Sequence, residues 1–198
     1  MSGIANPLPH SAESWRLPYR GNVGMACLII AESAIFTIFV VAYLFYAGKS
    51  LSGPTPGQVL ETPIFFTTCL LSSSLTVHFA GKLLERGKHG AFLMLWTLTI
   101  CLGGLFLYGT GREWRRLIYE QGLTISTNLF GTTYYSLVGL HAFHVTAGLI
   151  MLTLVLVLAL AGRVGPEQFK RVNVLSLYWH FVDTVWVVVL TVVYVLGR

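Results

Sequence analysis

The sequence predicts an all-α membrane protein, one bundle of five transmembrane helices. Two observations carry that prediction. Mean hydropathy is +0.70 and only 11% of the residues are charged, a balance outside the range of water-soluble domains. The apolar residues are also gathered into five stretches bounded by charges, Gly or Pro. Each is at least as long as the roughly 20 helical residues that cross a hydrocarbon core of about 30 Å.

Residues 1 to 22 hold several prolines and Glu13 before any apolar run, so they are expected to form an N-terminal cytoplasmic segment and not a cleaved signal peptide. A single transmembrane domain follows over 23–197, with helices near 23–47, 63–84, 91–110, 130–162 and 172–197. Gly and Pro in GKSLSGPTPGQVLE, 48 to 61, mark a loop. REWRRLIYEQGLTIST, 112 to 127, reads as a short interfacial helix. The fourth stretch exceeds a straight span, which places NLFGTTYYS at headgroup depth with Tyr134 and Tyr135 in an aromatic belt. With the N-terminus inside, Arg16, Arg20, Lys82, Arg86, Lys88, Arg163, Lys170 and Arg171 lie inside. Lys49, Arg112, Arg115, Arg116 and Arg198 lie outside, a bias that predicts N-terminus in and C-terminus out.

The net charge of +5 is no sign of nucleic acid, because the basic residues fall in short clusters between apolar runs, as loops at a membrane surface do. Cys27, Cys69 and Cys101 lie in or beside apolar stretches without a C-x-x-C pair, and read as small buried side chains.

Five ionisable residues lie deep in the spans: Glu32, His141, His144, His180 and Asp183. A charge at the bilayer centre costs about 2.5 to 3.5 kcal/mol on insertion scales, so these groups should face protein, water or one another. His141, His144 and Gly148 share one helical stripe, as do Ser176, His180, Asp183 and Val187. Small residues Gly139, Ala142, Ala147 and Gly148 let neighbouring helices approach. Asp183 is expected to hydrogen-bond His180 or a group on another helix, and Asp183→Leu to weaken helix packing or subunit association.

Several readings stand side by side. His141-x-x-His144 can be a metal or haem ligand pair, or two neutral histidines hydrogen-bonding across helices; with His180 and Asp183 a two-His-plus-carboxylate site can be imagined. Glu32 can handle protons or hold a neighbouring helix. Arg112, Arg115 and Arg116, with Glu113, fit an interfacial, headgroup-contacting surface. Trp179 and Trp186 fit packing or a lipid-facing stripe.

The last span, YWHFVDTVWVVVLTVVYVLG at 178 to 197, resembles the terminal helix of subunit III of the haem-copper respiratory oxidases, whose pattern is close to YWHFVDVVW. GLHAFHVTAG at 139 to 148 is similar to that family's G-x-H-x-x-H-V-x-x-G. ETPIFFTTCLLSSSLTV at 61 to 77 is similar to its N-T-x-x-L-L-x-S-S-x-T-V, and RGNVGMACLIIAESAIF at 20 to 36 to its R-G-x-x-G-M followed by S-E, which aligns Glu32 with the family's intramembrane glutamate. The chain has five spans where larger members have seven, and Thr110 stands where a Gln commonly precedes the E-W pair.

The resemblance implies a non-redox accessory subunit of a proton-pumping terminal oxidase, most closely a cytochrome c oxidase, in a bacterial plasma membrane. It implies no catalytic residue, cofactor or metal in this chain, with haem and copper held by partner subunits I and II. It also implies phospholipid in a cleft between helices, and support for proton uptake and for stability of the catalytic subunit. The alternatives are subunit III of a quinol oxidase, a related protein acting with nitric oxide reductase, and an independent metal-dependent membrane enzyme.

Overall fold

A computed structural model describes residues 19–50 and 53–197. Among them the order is α1 (Arg20–Tyr46), the single turn α2 (Pro56–Val59), α3 (Ile64–Glu85), α4 (His89–Tyr119), α5 (Leu129–Leu160) and α6 (Phe169–Leu190). A 3-10 turn, Pro166–Gln168, leads into α6, and a π-helical turn, Thr191–Leu196, ends it. Most of the expected 1–22 segment lies outside the described residues.

Five of these helices are long and apolar enough to cross a membrane. Helices α5 and α6 form the centre. Helix α1 packs against both, α3 pairs closely with α4, and α3 and α4 close the bundle against α6 and α5 respectively. Most of α1 is therefore exposed along its length, and the apolar side chains on that face suit lipid or a partner helix.

The turns at one end of the bundle are built from glycines that L-residues replace poorly. Gly87 and Gly162 have φ of +71°, and each ends its helix by the same pair of hydrogen bonds. Gly87 N–H reaches the Leu84 carbonyl and Lys88 N–H the Leu83 carbonyl, while Gly162 and Arg163 do the same to Ala159 and Leu158. These bonds satisfy carbonyls that a helix end would otherwise leave open.

The third span departs from expectation. Helix α4 runs unbroken to Tyr119, where the sequence predicts an end near 110 and a separate interfacial helix. The fall in hydropathy at Arg112 marks where the helix leaves the apolar zone, and nothing there interrupts the backbone bonds: Gly111 faces open space. Tyr134 departs as well. It is fully buried instead of belonging to a surface belt, while Tyr135 is half-buried and donates to the Leu123 carbonyl at 2.8 Å. Cys27 and Cys101 are exposed and free, not buried.

The core is held by aromatic wedges. Trp179 and Trp186 are both buried, and their indole N–H groups donate to Ser73 (2.8 Å) and Thr67 (3.1 Å) on α3. Trp179 lies in the gap left by two glycines. A Cβ at Gly103 on α4 would stand 2.8 Å from its ring, and one at Gly148 on α5 would stand 2.7 Å away. Small residues on two helices thus seat one large residue of a third, the packing on which helix association in lipid depends.

Candidate functional site

The polar residues of the spans resolve into three places. The first joins α1 to α5. Glu32 Oε2 lies 3.1 Å from His144 Nε2, and His144 Nδ1 lies 2.8 Å from the Leu140 carbonyl. A carbonyl only accepts, so Nδ1 carries a hydrogen. The contact at Nε2 then needs one more proton, held either by the carboxyl or by the imidazole, and in both states the pair is neutral overall. This is how two ionisable groups are accommodated at depth. Phe36 covers the His144 ring at 5.0 Å, and Tyr178 on α6 donates to the His144 carbonyl at 3.3 Å.

His141, one turn before His144, does not share this bond. It is 1% exposed, stacked on Trp186 at 5.0 Å and edge-on to Phe106 at 5.8 Å. Neither ring nitrogen has a hydrogen-bond partner among the described residues. The two histidines therefore serve different neighbours: His144 the acid of α1, and His141 the aromatic core of α4 and α6.

The second place is the seam between α3 and α6. Three side chains of α6 meet hydroxyls of α3: Trp186 with Thr67, Trp179 with Ser73, and His180 Nδ1 with Ser74 Oγ at 2.7 Å. This gives the SSS run of α3 its role. Asp183 lies beside Ser74 in the same seam and is 3% exposed. Its oxygens nevertheless have no hydrogen-bond partner within bonding distance among the described residues. The expected bond from His180 is absent because that ring is turned toward Ser74. No group of three or more His, Cys, Asp or Glu among the described residues stands close enough to hold a metal ion.

The third place lies at the far end of α4 and was only partly legible from sequence. Arg116 is bound by Glu61 and donates to the Val59 carbonyl at 2.9 Å, which ties the α2 loop to α4. Arg112, Glu113 and Arg115 join it around a cavity of about 660 Å³ whose floor includes Phe66 against Gly109. Glu113 turns inward from the cavity wall, and both its oxygens accept from Tyr194 Oη at 3.0 Å. Tyr134 Oη is 3.4 Å from Tyr194 Oη. No sequence motif singles out Tyr194 as a site residue. The signal that could have found it is its spacing of eight from Trp186, which returns it to the inward face of the last helix.

Tyr194→Phe is expected to destabilise the protein by about 1 to 3 kcal/mol, because the partly buried Glu113 loses its donor. Tyr134→Phe should cost less, its hydroxyl contact being longer. Thermal unfolding in detergent, comparing the two variants, checks this order.

Comparison with known proteins places these features in a family. Residues 19–198 match the family described as Cytochrome c oxidase subunit III. Among relatives, the chain is 38% identical over 178 residues to a cytochrome c oxidase subunit 3 from Synechocystis sp., covering 87% of this chain and 74% of that one. It is 32% identical over 168 residues to a cytochrome c oxidase subunit 3 from Alkalihalophilus pseudofirmus, covering 84% and 82%. A quinol oxidase subunit 3 from Bacillus subtilis is 28% identical over 194 residues, covering 96% and 93%. With the family match running from the first turn of α1 through the whole bundle, and relatives above 30% identity aligned over most of their length, this chain belongs to the cytochrome c oxidase subunit III family.

Proposed function

We propose that the protein is the non-redox accessory subunit III of a haem-copper terminal oxidase in a bacterial plasma membrane, with cytochrome c as the electron donor. Its partners are subunits I and II, which carry the haem and copper. The observation that supports this reading most is the continuous family match over residues 19–198. Helix α1 offers a long apolar face for a partner helix, and the Arg112, Arg115 and Arg116 group suits phospholipid headgroups at the membrane surface. The Glu32–His144 pair supports proton uptake in this reading, since it can pass one proton between a carboxyl and an imidazole without creating net charge.

The test is purification of the native complex. The chain should copurify with haem-bearing subunits, and the isolated chain should show no haem band in its optical spectrum. Stoichiometric haem or copper in the isolated chain would reject the reading. The relative from Bacillus subtilis named as a quinol oxidase subunit supports quinol as the alternative donor, and oxidation rates of the complex with each donor decide between them.

The proposed topology places the N-terminus inside and the C-terminus outside. A cysteine at Lys49 should then react with a membrane-impermeant thiol reagent in intact cells, and one at Lys88 only after lysis. The reverse pattern would invert the topology.

A further inference from the structure

Between α1 and α6 lies a cavity of about 540 Å³, within the size range of small-molecule sites. Its walls are apolar, with Ile29, Phe36 and Val40 on one side and Leu177 and Val188 on the other. Two of its hydroxyls are spent on their own helices: Thr37 donates to the Ser33 carbonyl at 2.7 Å and Thr184 to the His180 carbonyl at 2.8 Å. Two groups remain to meet a ligand, His180 on α6 and the Ser33 hydroxyl on the facing wall of α1.

We propose that this cavity binds the ring of an uncharged isoprenoid quinone or quinol, with His180 as the principal hydrogen-bonding group. Depth selects the class of ligand. His180 stands eleven residues after the start of α6 at Phe169 and sixteen before Leu196, so it lies about 16 Å and 24 Å along the helix from the two ends. A phosphate headgroup does not reach that depth without heavy desolvation. An uncharged ring with two oxygens does.

His180 is also equipped for both forms of such a ring. Its Nδ1 shares a hydrogen with Ser74 Oγ, and either atom can be the donor. When Ser74 donates, the imidazole hydrogen is on Nε2, which then donates to a quinone carbonyl. When Nδ1 donates, Nε2 accepts from a quinol hydroxyl. Ser33 across the cavity offers the second oxygen of the ring a partner. This is a binding site only, and it extends the accessory role proposed above without depending on it.

The test uses photoreactive azido-benzoquinone and azido-naphthoquinone analogues, applied to the full chain in phosphatidylcholine nanodiscs and to the intact oxidase complex. Saturable labelling is expected within residues 29–40 and 177–189, in both preparations, with competition by unlabelled quinone. His180→Leu should weaken it about five- to tenfold through loss of the hydrogen bond. Val188→Trp, at an exposed position in the cavity wall, should abolish it while leaving the thermal midpoint unchanged. Labelling that does not saturate, or that ignores Val188→Trp, would overturn the proposal. So would equal competition by phosphatidylglycerol, which would make the cavity an acyl-chain groove. Labelling lost in the intact complex would assign the cavity to a partner helix instead.

Discussion

Trp179→Ala is expected to destabilise the bundle by about 3 kcal/mol. Removing a buried aromatic from a core costs about 3 to 5 kcal/mol in soluble proteins, part of it for transfer from water and part for the cavity left behind. Lipid tails are nearly as apolar as a protein core, so the transfer part shrinks while the cavity part remains. The side chain fills the gap between Gly103 and Gly148 and donates to Ser73, so its loss opens a void where α4, α5 and α6 meet and removes the bond across to α3, leaving Ser73 only its own-helix bond to the Leu70 carbonyl. Denaturation in mixed micelles measures the cost. Gly148→Ala tests the same contact from the other side and should cost about 1 to 3 kcal/mol, because the new methyl meets a ring that is itself enclosed. A Trp179→Ala protein with wild-type stability would show that the wedge does not hold the helices.

The second large effect concerns the bond between α1 and α5. His144→Leu leaves the Glu32 carboxyl without its partner at depth, and Glu32→Leu does the same to the imidazole. Each is expected to cost about 2 to 3 kcal/mol, below the range for fully buried pairs because the Glu32 side chain is 22% exposed. The double leucine variant should cost clearly less than the two together, and that difference is the coupling. Glu32→Gln should be mild, since its amide can donate to Nε2 while Nδ1 stays on the Leu140 carbonyl. Additive single and double costs would mean that the two side chains do not act as a pair.

Asp183 calls for a different outcome from the one its sequence position predicts. Its oxygens have no hydrogen-bond partner among the described residues. Asp183→Leu therefore removes a buried polar group without breaking a bond. The isolated bundle should be as stable as wild type or more so, and copurification with partner subunits is the measurement that reports any role in association.

The membrane class, the number of spans and the family follow from local features of the chain. Apolar stretches longer than a bilayer is thick have few alternatives to spanning it, because a backbone in lipid must satisfy its own hydrogen bonds. The motifs that carry the resemblance are short and contiguous, so they can be read without knowing what packs on what. Pairing is another matter. That Glu32 meets His144 and not Asp183, that His180 turns to Ser74, and that Tyr194 returns to Glu113 are decided by rotation and close approach of separate helices. Period 3.6 assigns a residue to a face, but which helix that face meets depends on glycines at Gly103 and Gly148 and on the aromatics they admit, and no residue's own sequence neighbourhood contains that information.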